Sequence, residues 1–162
     1  CFARGSLILT PAGPISIDAL RTGDLVTTAD HGPQPILWIG ATEMSFADGQ
    51  NADQRPVEFK PGSLGPALPS QTLTVSPQHK LLMINDTGAE VLAPAIGLSE
   101  RPLTRIKRGA RSVTYYHLLL PLHAIIIANG VPTESFYPGD QALNALPVRH
   151  RLAGETCPTA TA

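Results

Sequence analysis

Ser6-Leu-Ile-Leu-Thr10, Pro11-Ala-Gly-Pro14, Ile15-Ser-Ile17: two short apolar runs are separated by a break rich in proline and glycine. Each run is too short for a helix, and the break supplies residues that favour a tight reversal. The stretch therefore reads as strand, hairpin turn, strand. The same texture continues outward along the chain. Further apolar runs fall at Leu25 to Thr28, Ile36 to Ile39, Leu73 to Val75, Leu81 to Ile84, Val113 to Leu120 and Ala124 to Ala128. Gly, Pro, Asn or Asp flanks each of them, as expected for strands joined by turns. Asp30-His-Gly-Pro-Gln-Pro35 and Asn85-Asp-Thr-Gly88 read as further turns, and Asn129-Gly130 is a strong hairpin dipeptide. With 16 prolines and 14 glycines spread along 162 residues, little room is left for helices of ordinary length. Single helical turns are expected at Ile17 to Leu20, closed by Gly23, and around Pro94 to Leu98. Ser45 to Arg55 and Pro61 to Ser70 read as loops, the former as a flexible one. The expected fold class is all-β.

The length suits one domain, placed at residues 1–153, with a small, polar and frayed tail at 154–162. The formal net charge is -1, so there is no basic field for nucleic acid. Charged residues make up only 15% against 43% apolar, which fits a compact fold with modest surface charge. No apolar run approaches the ~18 residues of a membrane-spanning helix, and the run from Leu118 to Ala128 is interrupted by Pro121 and His123. No signal-peptide pattern is visible, although an upstream targeting segment would already be gone. The two cysteines, Cys1 and Cys157, do not make a disulfide scaffold.

Cys1 has two readings: a trimmed boundary of no consequence, or a nucleophile standing immediately after the bond it cuts. A thiol is more nucleophilic than a hydroxyl at neutral pH. It can attack the carbonyl before it and convert an amide into a thioester. Ser76 and His79, in Thr74-Val-Ser-Pro-Gln-His79, place a hydroxyl three residues before an imidazole at a strand end turned by Pro77. The imidazole is a natural acid–base group near neutral pH, but the pattern also fits a turn with a surface histidine. His117 and His123 bracket an apolar run. Each can be a proton carrier, or a strand residue satisfied by the backbone.

Taken together, these pieces resemble the Hint domain, the fold shared by hedgehog autoprocessing domains, inteins and bacterial intein-like domains. The resemblance is carried by Cys1-Phe-Ala-Arg-Gly-Ser-Leu-Ile-Leu-Thr-Pro-Ala-Gly13, by Ile17-Asp-Ala-Leu-Arg-Thr-Gly-Asp-Leu-Val26, and by Thr74 to Leu82, where His79 matches the T-x-x-H block and Ser76 replaces its threonine. Tyr115 to Val131, with Ala128-Asn-Gly130, is similar to the closing block. These blocks lie in order across Cys1 to Tyr137, and Asp30 to Gly40, Thr114 to Leu120 and Glu134-Ser-Phe136 are most similar to a bacterial subgroup at the ends of larger secreted or surface proteins. The resemblance implies a flat, horseshoe-like all-β fold with pseudo-two-fold halves. It implies that Cys1 attacks the preceding carbonyl, that His79 protonates the departing amine, and that Ser76 holds the scissile amide.

The departures narrow this expectation. Glu134 and Ser135 stand where inteins carry His-Asn, so the asparagine that cyclises to complete splicing is missing; Asn144 lacks the flanking residues to replace it. His117 occupies the place of a closing-block aspartate, as a substitute proton carrier or as a structural residue. The region Ile39 to Thr42 has no acid before Glu43, which gives no support to sterol transfer. The expected activity is single-turnover cleavage before Cys1 through a thioester, resolved by water or an external amine or thiol, without splicing. The candidate catalytic residues are Cys1, Ser76, His79, His117 and His123. The expected partner is a covalently linked upstream passenger. The domain is expected to be a monomer within a secreted or cell-surface bacterial precursor, with no cofactor, no nucleic acid and no membrane. A chain starting at Cys1 would then represent the product state. Two alternatives stay open: an inert Hint-like binding or spacer module, and an N-terminal-nucleophile amide hydrolase. Zinc held by Cys1, His79, His117 and His123 would inhibit by occupying the thiolate. A Cys1–Cys157 disulfide is the alternative to an exposed thiol of no consequence in the tail.

Overall fold

The computed structural model describes residues 1–135. Their order is β1 (Phe2–Ala3), β2 (Leu7–Thr10), β3 (Gly13–Ser16), β4 (Leu25–Thr28), β5 (Gly32–Pro35), β6 (Trp38–Ser45), β7 (Val57–Phe59), β8 (Leu73–Val75), β9 (Lys80–Ile84), β10 (Glu90–Pro94), β11 (Thr104–Ile106), β12 (Ser112–Leu119), β13 (Ile125–Ala128) and β14 (Val131–Glu134). Among the described residues there is no α-helix, only single 3₁₀ turns. Two of these, Ile17–Ala19 and Ala95–Leu98, fall where short helical turns are expected.

The first hairpin forms where the opening stretch places it. β2 and β3 pair from Leu7↔Ser16 to Thr10↔Gly13. The Thr10 hydroxyl donates to the Gly13 carbonyl at 2.7 Å and accepts from the Ala12 amide at 3.1 Å, which closes the turn. The turn is narrower than the sequence suggests, because pairing resumes at Gly13. The second hairpin differs more. β4 and β5 pair from Leu25↔Pro35 to Thr28↔Gly32, so Gly32–Pro35 is strand and not turn. Its prolines are tolerated because β5 pairs with β4 alone, and the missing amides face away from the ladder. Ile36 and Leu37 precede β6 instead of opening it. Ser45 to Arg55 is not featureless either: it forms two 3₁₀ turns, Ala47–Gly49 and Ala52–Gln54.

Two sheets result. One has six strands in the order β11-β7-β8-β1-β12-β6; the other has eight, running β10-β9-β14-β13-β2-β3, with β4 paired to β13 and β5. Phe59, Leu73, Val75 and Leu118 from the first sheet pack in one core with Ile8, Val26, Leu81 and Ile126 from the second. Besides β5, five strands carry little alternating signal and are not apparent in the sequence: β1, β7, β10, β11 and β14. In β7 the pattern is broken by Glu58. It is buried because β11 and the residue after it bring Arg105 to 2.9 Å and Lys107 to 3.7 Å.

Asn129 and Gly130 form the two-residue loop between β13 and β14, which pair from Ala128↔Val131 to Ile125↔Glu134. Both residues have positive φ, 49° and 81°, which suits the primed hairpin turn. Asn129 does more than turn. Its side chain accepts from the Leu7 amide at 2.7 Å and donates to the carbonyls of Gln71 and Thr72 at 3.3 and 2.9 Å. It thus joins β2, the segment leading into β8, and the β13–β14 turn.

Tyr115 lies fully buried in β12, and its hydroxyl donates to the Gln54 carbonyl at 2.6 Å, fastening the 3₁₀ turns to the sheet. Tyr115→Phe leaves that carbonyl without its donor. A loss of about 1–2 kcal/mol is expected, measurable as a lowered urea midpoint at unchanged slope.

Candidate active site

The register of two strand pairs assembles the site. β1 lies between β8 and β12, with Phe2 opposite Val75 on one side and Tyr116 on the other. Stepping back one residue in each antiparallel ladder sets Cys1 opposite Ser76 and His117. Directly opposed residues face the same side of a sheet, so these three side chains converge. A backbone bond from the Ser76 amide to the Cys1 carbonyl, 2.9 Å, continues the ladder to the first residue. Pro77 then turns the chain. His79 is held over the site by its own amide bond to the Ser76 carbonyl, 3.1 Å, and by the Ala95 amide on its carbonyl, 2.8 Å.

The two imidazoles address different atoms of Cys1. His79 Nδ1 lies 2.7 Å from the α-nitrogen, and that nitrogen donates to Ser76 Oγ at 3.2 Å. His117 Nδ1 lies 2.8 Å from Sγ, with Nε2 further off at 3.6 Å. Ser76, His79 and His117 are all buried, while Cys1 is half-buried. Phe2 packs its ring against His79 with centroids 4.4 Å apart. With Nδ1 accepting from the Cys1 ammonium, the proton of a neutral His79 sits on Nε2. Nε2 of His79 is buried and has no hydrogen-bond partner among the described residues.

Burial sets the charge state of both rings. It pushes His79 well below its ordinary value, and the adjacent Cys1 ammonium and His117 push the same way. His117 is lowered to about 3, chiefly by burial and then by the same ammonium. The desolvation is built into the fold, whatever the charge on the Cys1 nitrogen. Both rings are therefore neutral near pH 7. A proton placed on either is given up readily.

A depressed pKa in the folded state favours the neutral ring, so this stability is present above the unfolded value of 6.5 and is lost as pH falls toward 3. Between about pH 7 and pH 5, His117 alone is expected to remove roughly 2 kcal/mol, and His79 acts in the same direction. Chemical denaturation at both pH values checks this. His117→Asn, which does not titrate, is expected to flatten the dependence.

His123 does not join this cluster. It lies just before β13, half-exposed, with Nε2 2.9 Å from Glu134 Oε2. Glu134 and Ser135 do reach the pocket beside Cys1, which is also lined by Gln78 and Tyr116. Ser135 is buried, and its hydroxyl accepts from the Ala124 amide at 2.9 Å. The sequence singles out Glu134 and Ser135 as departures from the intein pattern and, with Phe136, as part of the subgroup resemblance, and not as catalytic candidates. Gln78, inside the Ser76–His79 turn, is the pocket residue it passes over. Among the described residues, no group of three or more His, Cys, Asp or Glu side chains is arranged to hold a metal ion, so the four-residue zinc site considered from sequence is not assembled. Asn144, Cys157 and the 153/154 boundary lie outside the described residues.

The sheet thus clamps a cysteine between two imidazoles, one at its sulfur and one at its nitrogen. The chain belongs to the Hint-domain family, whose family model matches residues 1–140. Its fold is similar to those of solved inteins. The crystal structure of MchDnaB-1 intein aligns at TM-score 0.50 and 13% identity, covering 82% of this chain and 98% of that one. The gp41-1 intein aligns at 0.51 and 15%, covering 82% and 95%. The bacterial intein-like domain from Clostridium thermocellum aligns at 0.51 and 14%, covering 83% and 97%. At such identities the likeness bears on the fold alone. No curated protein sequence matches the chain.

Proposed function

We propose that this domain cleaves the peptide bond preceding Cys1 by an N-to-S acyl shift, releasing an upstream passenger through a thioester and without splicing. The observation that carries the reading is the division of labour at Cys1: His117 Nδ1 at the sulfur, His79 Nδ1 at the nitrogen. The thiol proton passes to His117 as Sγ attacks the preceding carbonyl carbon. The C–N bond then breaks, and the nitrogen takes one proton from His79 in its protonated form, offset by the thiol proton that His117 hands to solvent. This second transfer is needed because an unprotonated amine anion does not leave at neutral pH. Ser76 Oγ holds the nitrogen in place throughout. Water, or an external amine or thiol, then takes the acyl group from sulfur. Splicing is not expected, because Ser135 offers a hydroxyl bound to Ala124 where an asparagine amide would be required.

The reading in which Cys1 hydrolyses external amides uses its own α-amine as base. Here that amine is engaged by Ser76 and His79, and the group on the sulfur is His117. A precursor carrying a passenger before Cys1 tests the proposal. Release is expected in the parent, accelerated by hydroxylamine or dithiothreitol, and absent in Cys1→Ala. Equal release by Cys1→Ala overturns the mechanism.

A further inference from the structure

We infer that Glu134, held by His123, is the base that activates water to resolve the thioester; this rests on the cleavage reading above and names its acyl acceptor. Four observations converge. Among the described residues, Glu134 is the sole acid lining the pocket beside Cys1. Four other polar groups there are engaged: His79 and Ser76 on the nitrogen, His117 on the sulfur, Ser135 on the Ala124 amide; Gln78 and Tyr116, which also line the pocket, carry no basic group. The carboxylate is fixed at one end, with Oε2 bound by His123 Nε2 at 2.9 Å, while Oε1 accepts no hydrogen bond among the described residues. Its backbone is fixed too: Glu134 pairs with Ile125, and the next residue closes on Ala124 through its amide, 2.8 Å, and its hydroxyl, 2.9 Å.

This arrangement suits the second step and not the first. Cleaving the amide needs a proton carrier at sulfur and one at nitrogen, and two histidines already serve. Hydrolysis brings a new demand, since neutral water attacks a thioester slowly unless a base removes its proton. A water in the pocket donates one proton to Glu134 as its oxygen bonds to the thioester carbonyl carbon. The tetrahedral adduct collapses, the C–S bond breaks, and Sγ departs with its electron pair and takes up, by way of solvent, the proton that Glu134 removed from the water. The products are a passenger carboxylic acid and the Cys1 thiol. In this scheme Glu134 touches the reacting water, and His123 is a positioning residue acting through it.

The two steps are separable in a passenger-bearing precursor. Dithiothreitol attacks as a thiolate and needs no base, so thiol-induced release reports thioester formation, while release in plain buffer reports hydrolysis. Glu134→Gln is expected to slow hydrolysis about 10²-fold or more, to keep thiol-induced release, and to accumulate thioester visible by mass spectrometry. His123→Leu is expected to share the defect in part, and His123→Gln, which restores an N–H toward Glu134, to relieve it. Melting temperatures of all three variants accompany the rates. Parental hydrolysis by Glu134→Gln overturns the inference. Loss of thiol-induced release by a folded Glu134→Gln also overturns it, because Glu134 would then serve the first step. Equal rates for the two His123 variants remove the positioning role. If the parent itself yields no thiol-induced release, the cleavage reading has failed, and this inference falls with it.

Discussion

Release of an upstream passenger is expected to slow by about 10²- to 10⁴-fold in His79→Ala, the range typical for losing a positioned proton donor. His117→Ala is expected to be impaired as well, with a different pH signature. With His117 gone, Sγ loses the base 2.8 Å away, but rising pH ionises a thiol without help, so the deficit should shrink in alkali. With His79 gone, the nitrogen loses the group at 2.7 Å. Alkali removes protons and does not supply them, so that deficit should persist or grow. Release rates from about pH 6 to 9 for the parent and both variants check the assignment. Parallel profiles for the two variants would contradict separate duties at sulfur and nitrogen.

Asn129→Ala is expected to destabilise the fold by roughly 3–5 kcal/mol. The side chain satisfies one backbone amide and two carbonyls on segments far apart in sequence, and each buried group left alone costs about 1–3 kcal/mol. Alanine must also adopt a φ of 49°, a conformation that is strained for a residue with a Cβ and no local hydrogen bond. Asn129→Gly separates the two contributions. Glycine accepts the backbone but not the bonds, so it should recover about 1 kcal/mol relative to alanine. Denaturant titrations of the three proteins provide the comparison. A cost for Asn129→Ala within about 0.5 kcal/mol of zero would mean the side chain is incidental.

The same residue illustrates what a sequence conveys. Asn129-Gly130 is legible as a turn because the dipeptide favours positive φ at both positions. Its links to Leu7, Gln71 and Thr72 are not legible, because they depend on which strands meet. β2, β4, β8, β9, β12 and β13 announce themselves as apolar runs bounded by turn residues. β1 is only two residues long, and β7 hides behind Glu58, whose burial follows from Arg105 and Lys107 arriving on a neighbouring strand. At the site, Cys1, Ser76, His79 and His117 are recoverable as an ordered set of motifs. Sequence spacing cannot tell which imidazole faces sulfur and which faces nitrogen. That follows from register: β1 against β12 sets His117 opposite Cys1, while the turn after β8 carries His79 over the amine. His123 looks equivalent to the other two in the sequence, yet it precedes β13 and engages Glu134 across that hairpin.

The two-residue strand β1 has a mechanical consequence. It sits inside a sheet, with a hydrogen-bonded neighbour on each side, and not at an edge where a terminus would ordinarily fray. Tension from a passenger pulling on Cys1 would be shared by both neighbouring strands, in shear along β8 and β12. A bond preceding Cys1 would then be anchored like a wire gripped in a vice. Under the proposed reaction, tugging by a moving or unfolding passenger would strain that bond before it displaced the Cys1 thiol.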